Sequence, residues 1–221
     1  MRFDVPMTET GALAAAASAL IRRHAAALGA PPRGAISADA RYGRLLADIA
    51  SGLEAPPRVR VVGGPGAGRG RLAAALETAL DVRCEVVDAN RTLPATVPDI
   101  ELFAWCTAPC RHELQWLRRP RRHPAVVVAT RADTWAGEER PAWAEGLVAV
   151  GECAPGSTGF DRACSLVDEA AAEVPALRLA VATLRLDRDC DVLGARDVAE
   201  ALSAELSALA HNAPFARQGA S

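Results

Sequence analysis

Apolar residues recur along this chain in two rhythms, one helical and one strand-like, and the alternation between them divides it. Residues 8–28 form an Ala-rich run with Thr8 or Thr10 at its start and Gly29, Pro31 and Pro32 beyond its end, which predicts a capped and terminated helix. From 38 to 53, Tyr42, Leu45, Leu46, Ile49 and Leu53 fall on one helical face, and Pro56 and Pro57 close the segment. Short β-branched and apolar runs then predict strands over 59–62, 83–87, 100–106, 125–129 and 146–150. Helices are expected over about 70–80 and 111–119, and Asn90, Pro94 and Pro98 mark 89–99 as a loop. The last third returns to helical spacing over 160–172, 176–186 and 195–210. Leu177, Val181 and Leu184, and Leu202, Leu206 and Leu209, are the expected packing residues there, ahead of a frayed tail from 212.

Strands that alternate with helices imply a parallel sheet covered on both faces. The fold class is therefore α/β: three layers, a mostly parallel sheet flanked by helices, with N-terminal and C-terminal helical additions. The expected organisation is an N-terminal helical extension at 1–57, a core at 58–155, a C-terminal helical part packed on the core at 156–212, and a flexible tail at 213–221.

Composition narrows the class of protein. The 221 residues are 50% hydrophobic and 24% charged, in the range of a soluble globular fold. A net charge of -2 lacks the basic excess of a dedicated nucleic-acid binder. All 25 Lys and Arg positions are Arg, a usage typical of GC-rich, actinobacterial-type genomes. The six cysteines, without a secretory signal, read as reduced and mostly buried. The apolar run at 11–21 is too short to span a bilayer and follows Asp4 and Glu9, so a cytoplasmic protein is expected, with at most indirect membrane association.

The candidate chemistry centres on 63–70, GGPGAGRG, between the first strand and an Ala/Leu helix. This turn fits the G-x-x-x-x-G of a phosphate-binding P-loop, but the Lys and Ser/Thr that should follow are Arg69 and Gly70. In a P-loop, backbone N–H groups wrap the phosphates at a helix N-terminus, the Lys reaches the terminal phosphates and the hydroxyl holds Mg²⁺. Gly63, Gly64, Gly66 and Gly68 keep the backbone permissive, Gly70 lacks the hydroxyl, and Arg69 keeps only the charge. A residual anion nest and a ligand-free strand-to-helix turn both remain open. A second signal is VVVATRADTW, which places Thr130, Arg131 and Asp133 in the slots of the N-K-x-D that reads guanine.

Taken together over residues 38–150, these motifs resemble the G domain of a P-loop GTPase, and are most similar to the bacterial dynamin-like branch. The helices before the first strand, the DIELFAWCTAPCRHELQWLRR segment and the Trp after TRAD carry that likeness. The resemblance implies that Asp88 matches the Asp of D-x-x-G, with Arg91 in place of its Gly, and that Gly151 and Glu152 map near the base. It also implies that the switch segment is deleted, because Leu80, Asp81 and Val82 leave no room for it. With Lys, Ser/Thr, switch Thr and switch Gly lost or altered, the expectation is a pseudo-GTPase-like binding or regulatory module without catalytic residues or a resident metal. Weak, Mg-independent binding of GTP, GDP or a phosphate-like anion is expected of it, and pairing with an intact GTPase of related fold. The alternatives are a divergent active NTPase and a structural interaction domain whose loop is plugged by a side chain such as Arg69.

Other constellations carry less. Cys106, Cys110 and His112 lack a second cysteine pair at structural-zinc spacing. The run Arg118, Arg119, Arg121, Arg122, His123 reads first as a solvated helix end favoured by the helix dipole, and second as a partner or lipid contact. Trp116 is an expected core residue; Trp135 and Trp143, which follow the TRAD loop, read first as ordinary packing residues and second as a contact surface.

Overall fold

The computed structural model describes residues 9–27, 38–89, 96–135, 140–193 and 196–212. Thr8, Gly29, Asn90, Arg91, Pro94 and the tail from 213 lie outside them. Five strands, β1 (Arg58–Gly63), β2 (Arg83–Asp88), β3 (Ile100–Trp105), β4 (Ala125–Thr130) and β5 (Val148–Val150), form one sheet in the order β2-β1-β3-β4-β5. Every pair is parallel. The sheet runs between α3 (Arg69–Ala79), α4 (Arg111–Arg118) and α5 (Thr158–Ala171), with α1 (Glu9–Ala27), α2 (Ala38–Glu54), α6 (Val174–Leu193) and α7 (Arg196–Asn212) at the chain ends.

Alternation along the strands builds the layers. On one face Val59, Val61, Ile100, Leu102, Ala104, Val126, Val128 and Val150 meet Leu72, Ala73 and Leu76 of α3 and Phe160, Ala163 and Val167 of α5. On the other, Val62, Val87, Phe103 and Trp105 meet Trp116 of α4. Because β1 and β3 are buried on both faces, they read as apolar runs, and full burial of a side chain such as Phe103 is worth roughly 1.5–3 kcal/mol. At the outer margin of β2, the Cys84 N–H points away from β1 and donates to Glu77 Oε1 of α3 at 2.8 Å.

The second face also carries buried charge. Glu101 of β3 is 0% exposed and is surrounded by arginines, a histidine and an indole N–H. Arg119 donates to its Oε1, Arg121 Nη1 and His123 Nε2 lie 3.6 and 3.5 Å from its Oε2, and Trp116 Nε1 is 3.4 Å from Oε1. Arg60, 2% exposed, approaches from β1 at 3.9 Å and is held by Glu85 Oε2 at 3.1 Å and Thr96 Oγ1 at 3.2 Å. Arg121 Nη2 also donates to the Trp116 and Leu117 carbonyls, closing the end of α4. Burial pulls the Arg121 guanidinium below its usual range, and Arg119 adds to this, while Glu101 opposes it. The expectation of a solvated basic helix end is thus corrected for Arg119 and Arg121, which turn inward; Arg118 and Arg122 are exposed.

The chain divides into two compact units, residues 56–174 and the combination of 1–55 with 175–221. Where 156–212 was expected as one piece on the core, α5 belongs with the sheet and α6 and α7 group with α1 and α2. In the helical unit Ala17, Ile21, Tyr42, Leu46, Ile49, Leu186, Leu202 and Leu206 form the core. Buried Ser18 donates to Glu54 Oε1, and Arg22 Nη2 donates to Glu54 Oε2 at 2.6 Å, which draws the Glu54 carboxyl below its usual range. The packing stripe expected on α6 is corrected: Val181 and Leu184 are 55% and 59% exposed, and Leu179, Ala182 and Leu186 are buried instead. Two apolar stripes run along this helix, and spacing alone does not say which one faces the core. Among the described residues no helix is long and apolar enough to cross a membrane.

Five described cysteines are free thiols: Cys110 is exposed, and Cys84, Cys106, Cys153 and Cys164 are half-buried rather than buried. Burial, aided by Glu77, pushes the Cys84 thiol from 9.0 up to about 12, and burial also raises Cys153 and Cys164. At pH 8 a thiol titrating at about 12 is ionised to about one part in ten thousand. Iodoacetamide at pH 8, followed by peptide mapping, is therefore expected to modify exposed Cys110 well before Cys84. Since the folded value lies above the unfolded one, the unfolded chain ionises Cys84 first, and the folded state loses stability relative to its value below pH 9 as pH rises from 9 toward 12.

Candidate functional site

The glycine turn leaves β1 at the carboxyl end of the sheet, and most of its glycines have a backbone reason. A Cβ on Gly63 would stand 2.3 Å from the Ala104 carbonyl oxygen, so only glycine lets β1 and β3 approach there. The Ala67 N–H donates to the Gly64 carbonyl at 3.4 Å, and Gly66 and Gly68 take positive φ of 82° and 67°. Gly68 is the N-cap of α3, with no side-chain cap and no acidic residue in the first turn. Gly64 and Gly70 have room for a side chain: Glu113 Oε1 is 3.7 Å from a Cβ on Gly64, and nothing lies within 4 Å at Gly70.

The Arg69 side chain reaches the end of β2. Its Nη1 donates to the Val87 carbonyl at 2.8 Å, and its Nη2 is 3.6 Å from Asp88 Oδ2. Two of the expected site residues, Arg69 and Asp88, are thereby brought together at the end of β2.

At the end of β4, Thr130 is 3% exposed and its Oγ1 has no hydrogen-bond partner among the described residues. Alternation along the strand puts its side chain on the face of Val126 and Val128. Arg131 has φ 59°, the one non-glycine positive φ among the described residues, and its carbonyl accepts from the Thr134 N–H and Oγ1 at 3.0 and 2.7 Å. Asp133 is exposed and abuts the end of β5: a Cβ on Gly151 would stand 3.0 Å from the Asp133 nitrogen. Trp135 and Trp143, both half-buried, pack edge to face at 6.0 Å beside this loop. The Thr130–Asp133 group and the glycine turn share one edge of the sheet, with β3 between them, a separation of about two strand spacings or roughly 10 Å.

In this strand order the ligand-binding crevice of an open α/β sheet falls between the carboxyl ends of β1 and β3, where the connections diverge. Cys106 Sγ lies 3.9 Å from the Pro65 carbonyl oxygen there, and Glu113 is next to Gly64. Sequence reasoning missed Glu113. Its signal was C-x-x-E, a capping box in which the Cys110 N–H donates to Glu113 Oε2 at 2.8 Å. Cys110 thus caps α4, and His112 packs edge-on against Trp116 at 6.4 Å. No protein-family profile matches this chain, and no curated protein matches it in sequence.

Proposed function

We propose that the chain is a degenerate P-loop module of GTPase type, a pseudo-GTPase that binds or regulates a partner without hydrolysing nucleotide. One observation carries this reading: Arg69 and Asp88, in the slots of the phosphate-reaching cation and the Mg²⁺-supporting carboxylate, engage each other. A cation turned onto the end of β2 no longer neutralises a terminal phosphate. Gly70 offers no hydroxyl to a metal, and the Glu113 carboxylate beside Gly64 opposes a polyanion. Phosphoryl transfer relies on positioning and charge neutralisation, and both are absent from this arrangement. Exposed Arg131 and Asp133 and the Trp135–Trp143 pair then serve as a contact surface, with an intact GTPase of related fold as the first partner to test.

Calorimetry with GTP, GDP and ATP, with and without Mg²⁺, tests the reading. The expected result is nucleotide binding no tighter than millimolar, insensitive to Mg²⁺, and no phosphate release. Micromolar Mg²⁺-dependent GTP binding, or turnover, would sink it.

A further inference from the structure

Charge also gathers at the opposite edge of the sheet. Where β1 and β2 begin, on the face carrying Arg60, a cavity of about 250 Å³ is lined by Arg58, Arg60, Arg83, Glu85, Thr96 and Val97, among others. Residues of β1, of β2 and of the segment 96–98 line it. The register pairs Arg58 with Arg83 and Arg60 with Glu85, so these four side chains share one face of two adjacent strands. Three guanidinium groups and one carboxylate, Glu85, line the cavity; Asp99 and Glu101 stand behind Arg58 and Arg60 at 3.6 and 3.9 Å, so Arg83 is the lining cation without an ion pair among the described residues.

The three arginines differ in how they are held. Arg60 is fixed by Glu85 and Thr96, and its Nη1 is nearest to Glu101 at 3.9 Å, beyond hydrogen-bond length. Arg58 Nη2 donates to the Val97 carbonyl at 2.9 Å, and its Nε lies 3.6 Å from Asp99. Arg83 is exposed; its backbone N–H donates to the Pro57 carbonyl at 2.8 Å, and no hydrogen bond or ion pair among the described residues engages its guanidinium.

We propose that this cavity binds a small phosphate-bearing dianion, with Arg83 and Arg58 as the recognising forks and Arg60 as a rigid positive floor. Planar guanidinium groups match the oxygens of a phosphate, and the double charge and three terminal oxygens of a phosphate engage two such forks where a singly charged carboxylate engages one. The volume is below the roughly 300–1,000 Å³ of pockets for drug-sized ligands, so inorganic phosphate or a short phosphate monoester fits and a nucleoside triphosphate does not. Val97 and Pro98 supply an apolar lip for a short carbon body. The glycine turn lies a six-residue strand away, roughly 17 Å, so this site is separate from it and does not rest on the proposed function.

The full chain is titrated with inorganic phosphate, glycerol phosphate and acetate at low ionic strength, by calorimetry. Saturable binding of the two phosphates, but not of acetate, is expected. Arg83→Glu is expected to weaken it by about tenfold or more through like-charge repulsion, with circular dichroism unchanged. Val97→Glu, at a position 66% exposed on the rim, should weaken it in the same way, whereas Arg71→Ala beside the glycine turn should leave it intact. Tighter binding of glycerol phosphate assigns the site to a monoester, and tighter binding of inorganic phosphate to the free ion. No saturable binding, unchanged binding in both glutamate variants, or loss only in Arg71→Ala would overturn the proposal.

Discussion

Gly63→Ala should destabilise the sheet unit by about 2–4 kcal/mol, because the new methyl would sit 2.3 Å from the Ala104 carbonyl oxygen. That oxygen belongs to the backbone of a central strand, so relief requires moving β3 relative to β1. The same substitution at Gly70 meets nothing within 4 Å and replaces a helical glycine, so it should be neutral or stabilising by about 0.5–1 kcal/mol. Urea denaturation followed by tryptophan fluorescence makes the comparison, since Trp105, Trp116, Trp135 and Trp143 all lie in the 56–174 unit. Equal midpoints for the two variants would refute the close-approach argument.

Glu101→Gln should have an effect of similar size for a different reason. Removing one partner of a buried ion cluster leaves the others uncompensated and costs about 3–5 kcal/mol. Here Arg60, Arg121 and His123 are left facing a neutral amide, and Arg60 is 2% exposed. A paired change, Glu101→Leu with Arg121→Met, removes charge from both sides and should recover part of the loss in the same urea assay. If the double variant is as unstable as the sum of the single ones, Glu101 and Arg121 are not coupled.

Nearly all the elements were legible because periodicity and punctuation agreed. Pro56 and Pro57 end one helix, glycine opens the next, and β-branched runs mark the strands; burial of β1 and β3 on both faces is why they carry little alternation. Side-chain direction was not legible. Nothing in GGPGAGRG says that Arg69 will lie across to Val87 and Asp88, because a long flexible side chain takes its direction from tertiary neighbours. The inward turn of Arg119 and Arg121 was hidden for the same reason, since it depends on a carboxylate from β3 that is remote in sequence. On α6 the pattern held two stripes, and only the packing with α2 and α7 residues selects between them. Of the candidate site, the glycine positions and their backbone roles could be read; the carboxylate next to Gly64 could not, because Glu113 looked like an ordinary helix residue.

The bond from Glu77 to the Cys84 amide bears on where this sheet stops. An outer strand exposes a row of amide and carbonyl groups that can template pairing with another chain, a hazard for any open sheet. Here a carboxylate from the connecting helix occupies one of those donors, so an incoming strand must first displace Glu77 from the Cys84 N–H. The helix that carries the chain from β1 to β2 therefore also covers one amide of the outer strand at which the sheet stops.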